Sequence, residues 1–353
     1  MEFQPGDAIT REQAQSLALS EALKGAGFVS PNPLVGCVIV DSSHCFLASG
    51  YHAKLGGDHA EMAALKKIPM NRIIHATMYV TLEPCAHQGR TPPCADLLSL
   101  LPFKNVVIGV QDPNPLVAGQ GIEKLKETGI GVELDPIFGK KCEKLAEMFL
   151  WHIQKKMPFV SLKMATGMDG KMSLPSGESQ WITSEESRAR ARELRAEHDA
   201  TFIGARTLIH DNPRLDFRGT RFEGQKTNRI LIWDPTNKAQ DFLPKSEIMK
   251  TLGKENITIL NDPQITEDTL KKIYSLGIAS LLVEGGGYTI SQFIQKGLFN
   301  KIYQFIAPCL MGQGQGWNEA LKIQSMADRV LLEFDDVERV GHEIMIKAVV
   351  KKQ

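Results

Sequence analysis

A two-domain α/β architecture is what this sequence predicts, and three observations carry the prediction. Apolar runs of strand length alternate with helix-length segments through the first part of the chain. A second alternating series starts after Pro158, beyond a charged helical stretch. At 353 residues the chain is long for one compact domain and comfortable for two, each burying its own core.

The elements follow in order. Residues 10–25 carry helical periodicity, with Thr10 as the N-cap and Glu12 and Gln13 in the first turn. NPLVGCVIV (32–40) and FLASGYH (46–52) read as a strand pair. HAEMAALKKI (59–68) opens a helix, and MYVTLEP (78–84) is a strand. CADLLSLL (94–101) is a helix, NVVIGV (105–110) a strand, and QGIEKLKETG (120–129) a helix ended by Gly129. One longer helix, about 139–156, is stopped by Pro158 and joins the halves, placing the domains at 1–152 and 153–353. The second half starts with the strand FVSLKMAT (159–166), a charged helix (184–200) and the strand TFIGA. The strands RILIWD (229–234) and ITILND (257–262), a helix near 267–276 and the strand SLLVEGG follow. The tail, 330–350, alternates like an antiparallel hairpin at a sheet edge.

Composition narrows the function. Forty-one Lys+Arg balance 41 Asp+Glu, so no global field favours nucleic acid or an anionic membrane. The N-terminus, MEFQPGDAIT, lacks the basic start and apolar core of a targeting peptide. No stretch approaches the roughly 20 apolar residues that span a bilayer. Six cysteines without a framework-like spacing suit a reducing cytoplasm.

The chemistry concentrates in HAE (59–61) and EPCAHQGRTPPC (83–94). His59, Cys85 and Cys94 offer one imidazole and two thiolates, and three protein ligands are the arrangement of catalytic rather than structural zinc. Zinc with an open fourth position makes hydroxide available near neutral pH. Glu61, two residues after His59, is better used as general acid/base than as a further ligand. This HxE…PC…C pattern is that of zinc deaminases. Taken alone, two cysteines eight apart read as core residues; HAE upstream and a proline before each cysteine favour the metal. Both cysteines are expected at or near helix starts, where the dipole favours thiolate. His87 is a competing ligand, better read as a solvent or substrate contact. The other four cysteines read as small buried hydrophobes.

A second constellation is SLLVEGGGYTISQFIQ (280–295): strand, three glycines, helix. Glycines there let backbone amides approach an anion at a helix N-terminus, although a tight strand–helix turn explains the run equally well. It is not GxGxxG, so a Rossmann reading fails.

HAEMAAL, TLEPCAHQGRTPPC, DPNPLVAGQG and SPNPLVGCVIV together resemble the deaminase half of the bifunctional riboflavin-biosynthesis deaminase–reductase family. The eight-residue interval between cysteines separates it from cytidine and tRNA adenosine deaminases, which usually space theirs by two. WITSEESRARARELRAEHDA, DNPRLDFR and VEGGGYT extend the resemblance through the second half. It implies a cytidine-deaminase-like zinc domain followed by a dihydrofolate-reductase-like NADPH domain. It also implies the reactions: deamination of 2,5-diamino-6-(phosphoribosylamino)pyrimidin-4-one to the uracil compound, then reduction of its ribose to ribityl.

Carried onto this chain, the resemblance makes His59, Cys85 and Cys94 the zinc ligands and Glu61 the proton shuttle. Asn32, His52, Arg90, Asp112 and Asn114 become deaminase substrate contacts, though Asp112 and Asn114 also suit a plain DPNP turn. Ala165, Trp181, Thr207, Asp211, Gly286, Gly287 and Thr289 become NADPH contacts. Ser179, Arg195, Leu215, Arg218 and Glu284 become reductase substrate contacts, with Lys163 and Asp169 as candidates to position sugar or cofactor. Arg195 otherwise reads as part of a solvated charged face, and Trp181 as core. The family forms dimers or tetramers through the reductase half, so a homo-oligomer is expected. One departure stands out: where the family usually has a small residue, Ser and Leu before Asp-Gly, this chain reads Thr166-Gly167-Met168. Two rival readings exist: a stand-alone deaminase whose second half serves only assembly, and a zinc-stabilised pyrimidine-nucleotide-binding scaffold. EGGG and the two arginines oppose the first; an unligated Glu61 opposes the second.

Overall fold

The computed structural model describes residues 3–86, 92–114, 118–318 and 320–351. The chain divides into two compact units, Met1–Lys156 and Met157–Gln353. Among the described residues no helix is long and apolar enough to cross a membrane.

The first unit runs α1 (Arg11–Leu23), β1 (Gly36–Val40), β2 (Phe46–Tyr51), α2 (Ala60–Leu65), β3 (Thr77–Leu82), α3 (Cys94–Leu98), β4 (Asn105–Val110), α4 (Gln120–Glu127), β5 (Gly131–Leu134), α5 (Pro136–Leu145) and α6 (Glu147–Lys155). Thr10 caps α1 as expected: its hydroxyl accepts from the Gln13 amide, and the Gln13 side chain accepts from the Thr10 amide. The sheet order is β2-β1-β3-β4-β5, antiparallel across β1 and parallel across β3-β4-β5. Both faces are covered, which is why its strands read as continuous apolar runs. Cys37 and Ile39 point into one core with Ala60, Ala64, Leu98 and Leu125, while Val38 and Val40 join Ala14, Ala18 and Phe138 on the other side. The long helix expected over 139–156 is two helices, α5 and α6, that meet at Ala146. No glycine or proline marks that break.

The second unit adds β6 (Phe159–Gly167), β7 (Lys171–Ser173), α7 (Glu185–Glu197), β8 (Ala200–Gly204), α8 (Ala205–Asp211), β9 (Ile230–Trp233), α9 (Ala239–Phe242), α10 (Glu247–Leu252), β10 (Ile257–Leu260), α11 (Glu267–Ser275), β11 (Ser280–Val283), α12 (Gly287–Gln295), β12 (Lys301–Ala307), β13 (Gln315–Gly316), β14 (Leu332–Val340) and β15 (Glu343–Val350). Its eight-stranded sheet has the order β10-β9-β8-β11-β6-β12-β15-β14. The strands are parallel as far as β12, and β15 and β14 then pair antiparallel, with β14 on the edge as the tail pattern predicts. Leu162, Phe202, Leu281 and Val283 pack against α11 and α12 through Leu270, Ile273, Ile290 and Phe293. On the other side Ile203, Ile230 and Ile232 meet Leu208 and Ile248. Strand β12 lies inside this sheet although Lys301 and Gln304 interrupt its apolar pattern; Lys301 is buried and ion-paired with Asp335 at 3.1 Å.

Candidate functional site

In the first unit the chemistry gathers at the carboxyl end of β3 and the start of α2. His59 is the N-cap of α2, and Cys94 is the first residue of α3. His59 Nδ1 lies 3.5 Å from Cys85 Sγ and 3.4 Å from Cys94 Sγ. All three ligand atoms fall within 4.8 Å of one another. A tetrahedral zinc with Zn–S near 2.3 Å and Zn–N near 2.0 Å requires an N···S edge of about 3.5 Å. The donor set and its spacing therefore fit zinc. Cys85 is in a loop rather than at a helix start, yet its sulfur accepts from the Cys94 amide at 3.3 Å, the first amide of α3. Through that contact the positive end of α3 reaches Cys85 as well. Hydrogen bonding from the Cys94 thiol, then from His59 and the Cys94 amide, pushes the Cys85 pKa down to about 4. Cys94 moves the other way, raised by Cys85 and by burial. The Cys85 hydrogen bond raises His59.

Glu61 is buried on α2, and burial pushes its carboxyl above the ordinary range. It contacts Cys94 and lies outside the three-ligand set. A carboxyl whose affinity for a proton is raised, placed beside a metal site, is suited to taking and returning one.

The structure brings Asn32 and His52 together beside this group. His52 is buried, and burial lowers its pKa. Its Nδ1 donates to the Asp58 carbonyl at 2.9 Å, since a carbonyl only accepts. Nε2 is then the bare nitrogen, and it accepts from the Asn32 amide at 3.2 Å. The fixed tautomer thereby orients the Asn32 carboxamide, and the His52 ring meets His59 edge-on with centroids 5.4 Å apart. The Asp112 carboxylate accepts from the Asn114 amide at 2.8 Å, so Asp112 closes the turn over residues 112–114. Arg90 and His87 lie outside the described residues.

Sequence reasoning missed Glu83. It reads as the end of a strand, yet its buried carboxylate accepts four backbone amides from the segment that follows β4. The sequence shows only an acid at the end of an apolar strand, directly before Pro-Cys, and nothing of what binds there.

In the second unit Lys163 on β6, Glu284 beyond β11 and Arg195 on α7 form one buried group. Arg195 grips Glu284 with two hydrogen bonds, 2.6 and 3.1 Å, and also donates to the Asp216 carbonyl at 2.8 Å. Its side chain is only 9% exposed, so the solvated-face reading fails. Lys163 lies 3.6 Å from Glu284. Burial pushes Lys163 down; against the upward pull of burial, Arg195 and Lys163 hold Glu284 below its ordinary value.

Around the glycine run, the Gly286 amide donates to Thr207 at 3.1 Å, and Gly286 caps α12. A Cβ on Gly287 would stand 2.5 Å from the Gly316 carbonyl. Thr289 packs into the turn, its Oγ1 2.6 Å from where a Gly204 Cβ would be. Ala165 lies on β6 and Asp211 ends α8. Trp181 is 66% exposed rather than core, with the Arg188 guanidinium 4.4 Å over its ring. Leu215 has φ +50°, its side chain is in the core, and its carbonyl accepts from the buried Asn228 carboxamide at 2.8 Å. Arg218 pairs with Asp216, and Ser179 is half-buried. At the departure from the family pattern, a Cβ on Gly167 would meet Asp169 Oδ1 and the Cys309 carbonyl, each at 2.8 Å. The space a serine would use is filled. Asp169 accepts from the Met311 and Gly312 amides at 2.7 and 2.8 Å, which fastens this strand end to the loop beyond β12.

Residues 9–110 match the cytidine and deoxycytidylate deaminase zinc-binding region, and residues 158–346 match the RibD C-terminal domain. The chain is 38% identical over 348 residues to the riboflavin biosynthesis protein RibD of Aquifex aeolicus, covering 94% of this chain and 96% of that one. It is 36% identical to RibD of Actinobacillus pleuropneumoniae, covering 94% and 93%. Among solved structures, Acinetobacter baumannii RibD superposes with a TM-score of 0.86 at 32% identity, covering 96% of this chain and 98% of that one. The Thermotoga maritima diaminohydroxyphosphoribosylaminopyrimidine deaminase/5-amino-6-(5-phosphoribosylamino)uracil reductase gives 0.81 at 30% identity, with the same coverage. This chain belongs to the RibD family of riboflavin biosynthesis, a deaminase zinc domain followed by a reductase domain.

Proposed function

We propose that residues 1–152 deaminate 2,5-diamino-6-(5-phosphoribosylamino)pyrimidin-4(3H)-one and that residues 153–353 reduce the ribose of the product to ribityl. The observation that carries the reading is the His59–Cys85–Cys94 triad with a buried, unligated Glu61 beside it. His59, Cys85 and Cys94 would hold zinc, which when bound makes hydroxide available from water near neutral pH. Glu61 takes the proton from the attacking water and delivers it to the departing amine, so the water oxygen stays on the ring as the carbonyl and the amino group leaves as ammonia. Asn32, held by His52, presents a donor and an acceptor to the pyrimidine edge. Asn114 presents its carboxamide from the turn that Asp112 shapes, and Arg90 binds phosphate or ribose.

In the reductase, Gly286, Gly287, Thr289, Thr207, Asp211, Ala165 and Trp181 would hold NADPH, which supplies the hydride when bound. Arg195 fixes Glu284 against the sugar, and Arg218 and Ser179 receive the phosphorylated end. Lys163, its ammonium destabilised by burial, gives a proton to the sugar oxygen released as hydride adds to carbon. Chelating zinc from the protein is expected to stop deamination and to leave NADPH oxidation intact when the deaminated intermediate is supplied. Loss of both activities, or of neither, would contradict this division.

The enzyme is further proposed to work as a homo-oligomer in the cytoplasm. Phe334, Val337 and Ile344, 72%, 57% and 46% exposed, make an apolar patch on the β14–β15 edge hairpin. All six cysteines are free thiols, as a reducing compartment requires. Sedimentation should give a dimer or larger, and Phe334→Glu should reduce its mass; a monomeric parent protein would reject the assembly.

A further inference from the structure

Glu83 is placed between the zinc-binding loop and the segment after β4. Its backbone amide donates to the Val110 carbonyl at 2.8 Å, which pins the end of β3 to the end of β4. Its carboxylate then spans both ends of the following loop. Oε2 accepts from the Asp112 and Gly119 amides, each at 3.0 Å. Oε1 accepts from the Gly121 and Ile122 amides at 3.0 and 3.2 Å. Four amide donors satisfy one buried carboxylate.

The far side of the contact is equally close-fitted. A Cβ on Gly121 would stand 2.1 Å from the Pro84 carbonyl, so only glycine lets the start of α4 approach the chain this closely. Pro84 leads directly into Cys85, whose carbonyl accepts from Ala95 and whose sulfur accepts from the Cys94 amide. On the other side Asp112 leads into Asn114 through the turn its own carboxylate closes. One side chain thus connects the chain entering Cys85 to the Asp112–Asn114 turn.

We propose that Glu83 is the positioning residue that holds the Asp112–Asn114 turn in register with the zinc-binding loop, and so sets where the pyrimidine substrate rests relative to the metal. The inference rests on the reading of this turn as a substrate contact. Glu83 lies outside the three-ligand group, and both its oxygens are taken by backbone amides. Its carboxylate is required as a carboxylate: a glutamine would turn an NH₂ donor toward two of the four amide donors and leave them unpaired.

The test compares Glu83→Gln, Gly121→Ala and Asn114→Ala in the full chain. The readouts are zinc content, hydrogen exchange over 112–127, and the deaminase KM and kcat with diaminopyrimidine nucleotide generated from GTP by a cyclohydrolase. Glu83→Gln and Gly121→Ala are expected to keep their zinc, exchange faster over 112–127, and raise KM about tenfold or more with a smaller change in kcat. An unchanged KM in zinc-loaded Glu83→Gln would overturn the proposal. So would loss of zinc and of kcat at unchanged KM, which would assign Glu83 to the metal loop alone. Should Glu83→Gln fail to fold, Gly121→Ala decides the matter with Glu83 intact. If Asn114→Ala leaves KM unchanged while Glu83→Gln raises it, the substrate reading of the turn is what fails, and the role given to Glu83 falls with it.

Discussion

Glu61→Gln is expected to lower deamination about a thousandfold or more while leaving zinc content and ribose reduction unchanged. The reason is specific to a proton shuttle. Glutamine keeps the shape and burial of the side chain but can neither take a proton from water nor return one to the amine. Zinc binding should survive because Glu61 lies outside the ligand set of His59, Cys85 and Cys94. The amide is nearly isosteric with the carboxyl and less costly to bury than a carboxylate, so it disturbs packing little. The measurement is single-turnover deamination alongside metal analysis of the same preparation. Deamination intact in Glu61→Gln would require another base, and the described residues of the zinc site offer none with comparable burial and position.

Arg195→Met should have the second large effect, this time on the reductase and on stability together. Arg195 makes both oxygens of Glu284 usable, and removing it leaves a carboxylate buried with only Lys163 at 3.6 Å. Breaking a buried pair from one side costs about 3 kcal/mol or more, because the remaining charge loses its compensation. The single variant is expected to unfold at lower denaturant and to lose NADPH-dependent reduction by more than tenfold. The double variant Arg195→Met/Glu284→Gln separates the two effects. It should recover much of the stability, since the orphaned charge is gone, and recover none of the reduction. Full reductase activity in Arg195→Met would show that Glu284 is positioned without it.

Much of the deaminase site was legible because its chemistry restricts residue type. Few side chains besides His and Cys make a three-ligand zinc site, and HAE with two Pro-Cys steps leaves little room for another reading. Strands such as β1 and β4 were legible for a related reason: burial on both faces makes every residue apolar. What escaped was carried by polar residues whose partners are distant in sequence. Glu83 ends a strand pattern, and nothing local announces that four amides from 112–122 converge on it. Arg195 was singled out only by the family resemblance; within its charged stretch on α7 nothing showed that it pairs with Glu284, 89 residues on. Strand β12 was masked by Lys301, whose charge is buried against Asp335. The break between α5 and α6 at Ala146 had no glycine or proline to signal it. The Gly167 departure proved a matter of space, since Asp169 and the Cys309 carbonyl occupy what a side chain would need.

That one chain performs two successive reactions is tested most directly by a mass-spectrometric time course on zinc-loaded protein. The substrate would be made in place from GTP by a cyclohydrolase, with and without NADPH. Exchange of an amino group for oxygen adds about 1 Da, and reduction adds about 2 Da more. The first shift is expected in both samples and the second only with NADPH. The first shift alone in the presence of NADPH would contradict the reductase assignment, and no shift from folded, zinc-containing protein would contradict both.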